Sequence, residues 1–377
     1  MPGTPSGDGV ARFAGRAARG VVECVDVLSA PERLLEDGPW FVVAEFDAPR
    51  GRARAWRFAE RTDPAEDPAE EPTEDPTEDP TGTPGDGATG VWRGPSPSAW
   101  TSSLDRASYE AAVARVRAEV REGQVYQANV CRVLSAPLAP DGDLEPDALA
   151  LARRLARGNP APYAGVLHVP ASSGVEPAWV VSASPELYLG LADGVLTSGP
   201  IKGTAATAAA LTAKDRAENV MITDLVRNDL QRVCLPGTVE VTDLLAVEEH
   251  PGLVHLVSRV AGQVRDDVLS APDRWARVLG ATFPPASVSG APKSSALRLI
   301  GELEPVPRGP YCGAVGWVDG DEAVLAVGIR TFWWSDGVLR FGTGAGITWG
   351  SDPAREWEET ELKAHRLVGL ASGTLEP

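Results

Sequence analysis

Apolar positions along this chain alternate between two periods. Gly20–Leu28 (GVVECVDVL), Trp40–Phe46 (WFVVAEF) and Ala53–Phe58 are rich in β-branched and aromatic residues and are predicted strands. Val125–Leu134 (VYQANVCRVL), Tyr163–Val169, Trp179–Ser182, Tyr311–Trp317, Val324–Phe332 and Val338–Thr343 read the same way. Helical spacing governs Ser103–Glu122, which closes at Gly123, and also Ala148–Ala156, Ser270–Leu279, Ser294–Leu303 and Arg355–Leu367. Gly252–Val268, which contains His255, reads as a helix or another long element. Leu196–Val233 holds both periods. A strand end leads into a turn marked by Pro200 and Gly203 that carries Lys202. A small-residue loop and a helix from near Asp215 follow, with apolar residues at Val220, Met221, Leu225, Val226, Leu230 and Val233. Many strands with peripheral helices, and no Rossmann alternation, predict an α+β or layered-sheet fold.

One segment has neither period. Thr62–Gly90 is built from near-repeats of E-D-P-T, and proline and like charge at that density cannot form a core. It is expected to be a disordered acidic insertion (62–90) between a β-rich N-terminal part (1–61) and the main region (91–377). The tract holds 10 of the acids and no Lys or Arg, so the net charge of −18 falls to −8 without it. The acidic balance disfavours nucleic acid and anionic membranes as partners, while leaving room for a small anion met by local cations. The four cysteines are scattered, with no metal-ligand spacing, which points to a reduced, cytoplasmic protein. The first residues have no apolar leader, and no run of eighteen apolar residues occurs.

Two helices carry candidate chemistry. Asp215 and Glu218 stand three apart and share a face, as do Glu356, Glu359 and Lys363 near the C-terminus. Taken alone, the first pair is also what a helix start looks like, and the second what a solvated face looks like. Together the carboxylates could hold one Mg²⁺, which takes oxygen ligands and keeps positions open for substrate oxygens. Gly342–Gly346 is expected as a loop after the last strand. It lacks the Lys-Ser/Thr of a phosphate loop, but its backbone N–H groups could cradle a carboxylate beside Arg330.

The order of short motifs is more specific. Ser184-Pro185-Glu186, Pro200-Ile201-Lys202-Gly203-Thr204, Glu218–Asp229 (ENVMITDLVRND), His255-Leu256-Val257-Ser258, Ser289-Gly290-Ala291-Pro292-Lys293, Gly344-Ala345-Gly346-Ile347 and Glu356-Trp357-Glu358-Glu359-Thr360 follow one another. In this order they resemble the chorismate-utilising enzymes, over about residues 100–370. The resemblance implies an anthranilate synthase component I-like fold, with large antiparallel sheets in a layered sandwich and helices outside. It implies Lys202, Glu186 and His255 as catalytic residues, with Lys202 as a covalent nucleophile and Glu186 as general acid. Gly203, Thr204, Tyr311, Arg330, Gly344 and Lys363 match substrate-binding positions. Glu218, Glu356 and Glu359 match Mg²⁺ ligands, and Asp215 an acid that approaches the metal through water.

Within the family, isochorismate and salicylate synthases carry a water-activating lysine at the position that Gln127 matches in this chain. Anthranilate synthases have alanine where this chain has Lys202. That lysine is similar to the one in component I of aminodeoxychorismate synthases, which aminate chorismate at C4 on the way to 4-aminobenzoate. No cysteine lies in a glutaminase G-x-C-x-G elbow, so a separate glutamine amidotransferase subunit is the expected source of ammonia. The alternatives are anthranilate synthase component I, a 2-amino-2-deoxyisochorismate synthase, or a non-catalytic chorismate-binding subunit. The loop after Thr204 is alanine-rich where relatives carry arginine, and Pro31–Asp37 only distantly resembles the tryptophan-feedback motif L-L-E-S.

Overall fold

Trp40–Ala44 is buried at every position. Its odd and even side chains enter different cores. Phe41 and Val43 pack with Val180, Leu167, Val315 and Ala326. Trp40, Val42 and Ala44 pack with Leu325, Leu189 and residues of the helices outside. A strand with period-two geometry and apolar residues on both faces must lie between two layers, and the rest of the chain supplies them. A computed structural model describes residues 7–36, 38–47, 52–62, 91–140, 144–205, 207–250 and 253–377. The expected disordered tract lies, from residue 63 on, outside the described residues.

Every pairing is antiparallel, and one continuous ribbon runs through the sheet. It starts at Glu240–His250 and passes through Leu253–Gln263, Val195–Gly199 and Leu187–Ala192. It continues through Glu322–Val327, Ala314–Asp319, Trp40–Ala44, Ala53–Thr62 and Arg16–Asp26. It then crosses to Gly7–Phe13, Tyr163–Val169, Ala178–Ser184, Thr331–Ser335, Val338–Ile347 and Gln127–Pro137. The ribbon folds over so that its two halves face each other. Helices Ala213–Gln231 and Arg274–Thr282 cover the first half, and Ala148–Gly158 and Pro353–Ala371 cover the second. Arg106–Arg121 and Lys293–Leu303 cover the far end at Gln127–Pro137. This is the layered antiparallel architecture that the sequence predicts. Among the described residues no helix is long and apolar enough to cross a membrane.

One local reading is resolved and two are corrected. From residue 253 on, the run read as a helix or another long element is the strand Leu253–Gln263 followed by the short helix Asp266–Leu269. Val254, His255, Leu256, Val257 and Val260 are all buried, so the run lacks the alternation that would mark it. The predicted strand Val324–Phe332 is broken into Glu322–Val327 and Thr331–Ser335, with Arg330 in a left-handed kink at φ 53°. Gly342–Gly346 is not a loop but lies inside Val338–Ile347. Its glycines answer to close approach, as the site shows. Gly7–Phe13 and Glu240–His250 are strands that the apolar pattern did not mark.

Candidate active site

Lys202 lies on the strand Ile201–Ala205, at the mouth of the first layer. Asn219, buried on the neighbouring helix, holds that strand. Its amide donates to the Leu256 carbonyl at 2.9 Å and to the Lys202 carbonyl at 3.4 Å. Its Oδ1 accepts from the Ser258 hydroxyl at 2.5 Å. The E-N and H-L-V-S motifs are thus two halves of one buried polar clamp. Gly203 has φ +91°, and a Cβ there would lie 2.9 Å from the Asp215 Cβ, so glycine lets helix and strand approach. His255 is buried on the strand that pairs with this one, opposite Thr204. The Thr204 side chain is outside the described residues.

Glu186 follows Ala178–Ser184 and is 3% exposed. Burial raises its carboxyl to about 7, against the lowering effect of the Ser287 hydroxyl, Lys202 and the Ile201 N–H. A carboxyl so placed can hold a proton near neutral pH and release it. Burial lowers the Lys202 ammonium from its ordinary 10.5. Lys363 adds to the effect, while Glu218, Glu186 and Glu359 oppose it. The acid is thus held toward its protonated form and the amine toward its neutral one, as a proton donor and a nucleophile require. Buried Arg308 fixes the loop that carries Ser287. It donates to the Val288 carbonyl at 3.0 Å and the Asn129 carbonyl at 2.8 Å, and it forks onto Glu304.

The glycine strand forms the floor. A Cβ on Gly342 would enter the Tyr311 ring at 2.0 Å, and one on Gly344 would lie 2.6 Å from the Cys131 Sγ. On Gly346 it would lie 2.7 Å from Gln127 Nε2 and 3.2 Å from Lys202 Nζ. The Tyr311 hydroxyl accepts from Cys131 Sγ at 3.9 Å, and Lys363 Nζ donates to the Gly344 carbonyl at 3.1 Å. Tyr311, Gly344, Lys363 and Lys202 therefore gather along one strand. Both amide atoms of fully buried Gln127 lack a partner among the described residues. Arg330 is half-buried, burial pulls its guanidinium below its ordinary value, and no described carboxylate pairs with it. A half-buried, unpaired guanidinium is suited to a bidentate carboxylate ligand.

The acids divide. Glu218 and Glu356 meet across two helices, with Lys214 Nζ at 3.5 Å and 3.9 Å from their respective Oε1 atoms. Glu218 Oε1 is buried and has no hydrogen-bond partner among the described residues. Burial, with Glu359 beside it, raises the Glu356 carboxyl against the Ser351 hydrogen bond. Burial also acts to raise Glu359, but Lys363 at 2.6 Å, with Lys202 and Lys214, outweighs it and holds that carboxyl low. Asp215 does not join them. Its Oδ2 accepts from the Thr212 N–H at 2.8 Å and the Thr212 hydroxyl at 2.6 Å, closing a capping box. Among the described residues no three Asp, Glu, His or Cys side chains already stand as a metal cluster. The donors are nevertheless all hard oxygens, one is orphaned, and a cation already stands between two of them. That chemistry fits a divalent ion such as Mg²⁺.

A model of the chorismate binding enzymes matches residues 28–369. The chain belongs to this family. It is 35% identical over 286 residues to anthranilate synthase component 1 of Saccharolobus solfataricus, covering 72% of this chain and 63% of that one. It is also 35% identical over 284 residues to aminodeoxychorismate synthase component 1 of Salmonella typhimurium, covering 72% and 59%. The chain thus spans about 60% of the length of these relatives. Its fold matches anthranilate synthase component I from Streptococcus pneumoniae with a TM-score of 0.72 at 22% identity, covering 97% and 93% of the two chains. The menaquinone-specific isochorismate synthase of Escherichia coli gives 0.73 at 19%, covering 98% and 90%.

Sequence reasoning missed Lys214 and Ser287. Lys214 precedes Asp215 and stands four residues before Glu218, a spacing that could have marked it. Nothing local marked Ser287, whose role depends on Arg308 and on a strand a hundred residues away.

Proposed function

We propose that this chain aminates chorismate at C4, giving 4-amino-4-deoxychorismate, with ammonia from a separate glutamine amidotransferase subunit. Relatives named for C4 and for anthranilate chemistry match it equally at 35% identity, so the choice rests on one residue. What supports the reading is Lys202, whose ammonium is held toward its neutral form beside Glu186 and over Gly346.

In this reading chorismate lies over the glycine strand. Its carboxylates are met by Arg330, Lys363, the Tyr311 hydroxyl and the N–H groups around Gly344. The Lys202 amine attacks C2, both conjugated ring double bonds shift one place, to C1=C6 and C4=C5, and the C4 hydroxyl leaves as water with the proton of Glu186. Ammonia then adds at C4 and gives a proton to the Glu186 carboxylate. Both double bonds shift back, and the C2–N bond breaks to restore Lys202. The sum is chorismate plus ammonia giving aminodeoxychorismate plus water. His255 lies on the strand beside this step and is assigned to the C4 oxygen. Glu218, Glu356 and Glu359 would hold Mg²⁺, which when bound supplies positive charge against a substrate carboxylate.

Product identity tests the reading. The purified chain is incubated with chorismate, Mg²⁺ and an ammonium salt, and products are separated with mass detection. Aminodeoxychorismate, which added lyase converts to 4-aminobenzoate, is expected. Anthranilate or a C2-aminated product would overturn Lys202 as the discriminator. No turnover by folded protein would favour a non-catalytic subunit.

A further inference from the structure

Lys214 has no part in the chemistry above, yet it stands where the acids need a cation. It lies on the first turn of Ala213–Gln231, with its side chain 52% exposed. Its Nζ reaches Glu218 Oε1 at 3.5 Å and, across to the other helix, Glu356 Oε1 at 3.9 Å. Both distances exceed a good charge-assisted hydrogen bond, so Lys214 neutralises the two oxygens without satisfying them. Glu218 Oε1 is accordingly left buried without a hydrogen-bond partner among the described residues. Two glutamates brought together away from water repel each other unless a cation lies between them. Glu359 is already held by Lys363 at 2.6 Å, and Arg132 pairs with Glu361 on the same helix. Lys214 is the cation that bridges Glu218 and Glu356.

A bound Mg²⁺ would stand about 2.0–2.1 Å from its carboxylate oxygens, and it and an ammonium cannot both take the same ones. The Lys214 stem has an open route to water. We propose that Lys214 is the resident counter-cation of the metal-free cage, and that a divalent ion enters by displacing its ammonium from Glu218 and Glu356. The inference rests on the metal part of the reading above, not on which carbon is aminated. It makes the metal-free protein stable with its acids facing each other, at the expense of metal affinity. Removing the Lys214 charge should weaken the metal-free state and strengthen metal binding together, whereas a residue that merely packs would affect both states alike.

The test uses the full chain stripped of metal by a chelator, with Mn²⁺ alone as probe and no chorismate. Mn²⁺ affinity is measured by electron paramagnetic resonance or calorimetry for wild type, Lys214→Met and Lys214→Arg. Melting is followed in chelator and in excess Mg²⁺. Lys214→Met is expected to bind Mn²⁺ between about threefold and tenfold more tightly than wild type, the range that one or two half-exposed pairs can supply. It should melt lower than wild type in chelator and at the wild-type temperature in Mg²⁺. Lys214→Arg should stay near wild type in both. Unchanged or weaker Mn²⁺ binding by Lys214→Met would overturn the proposal, as would an equal loss of melting temperature in both states. If wild type itself bound no Mn²⁺, the inference and the metal assignment would fall together. The product assay, read separately, would still decide where chorismate is aminated.

Discussion

Lys202 Nζ ends 3.2 Å from the point that a Cβ on Gly346 would occupy. The two residues come from opposite layers of the sandwich, so their contact fixes where the proposed nucleophile stands. Gln127 Nε2 lies 2.7 Å from the same point. The nearest atoms that a methyl group on Gly346 would meet are the ends of two flexible side chains, which can move aside. Gly346→Ala is therefore expected to fold and melt like wild type while kcat falls by about 10²-fold, the effect of moving a reacting group by about an ångström. Steady-state kinetics alongside a melting curve checks both halves.

Lys202→Ala removes the proposed nucleophile but leaves the floor and the acids in place. We expect kcat to fall by on the order of 10²-fold or more, about 2.7 kcal/mol of barrier. Intact-protein mass spectrometry after a chorismate pulse should find an adduct on wild type and none on the variant. Wild-type turnover by Lys202→Ala would exclude the covalent step.

Much of this site could be read from the sequence, because its motifs are short and local. Lys202, Gly203, Glu218 and Asn219 are each placed by the strand–turn–helix that carries them. The layered fold was legible from many strands with few helices between them. What stayed hidden depends on contacts distant in the chain. Gly342–Gly346 looked like a loop because its glycines are explained only by Tyr311, Cys131 and Lys202 pressing against them. Leu253–Gln263 hid its period because both of its faces are buried. Asp215 shares a helix face with Glu218, yet the nearer Thr212 takes its Oδ2 for the helix cap, a contact that spacing alone does not show.

Asp215 and Glu218 can be told apart on that basis. Asn at 215 keeps an oxygen for the cap, so Asp215→Asn should bind Mn²⁺ within about twofold of wild type. Glu218→Gln removes a charged ligand oxygen and should weaken binding by at least about tenfold, or 1.4 kcal/mol. Equal losses from both would return Asp215 to the metal site.

Asn219 joins the helix to two strands through its bonds to Leu256, Lys202 and Ser258. In Asn219→Ala the Leu256 carbonyl and the Ser258 hydroxyl lose buried partners. A loss of about 2–3 kcal/mol in denaturant unfolding is expected. Activity should fall too, since the strand that carries Lys202 is released.

As the proposed general acid, Glu186 is expected to set the alkaline side of the pH profile. Its carboxyl is raised from 4.5 to about 7, so its proton is present below that pH and lost above it. Lys202 works in the opposite sense, because its amine must be neutral and its lowered ammonium sheds a proton as pH rises. kcat should fall as pH climbs through about 7. The Ser287 hydroxyl favours the Glu186 carboxylate, so Ser287→Ala should move this limb to higher pH. Stability follows the same group. A folded pKa raised above the unfolded value gives stability that is complete below about 4.5 and is lost as pH rises through about 7. Glu186→Gln, which cannot ionise, should therefore gain in melting temperature relative to wild type across that interval, while its activity drops at every pH. If the wild-type and Glu186→Gln melting curves ran parallel from pH 5 to 8, the raised carboxyl and the acid role built on it would both be excluded.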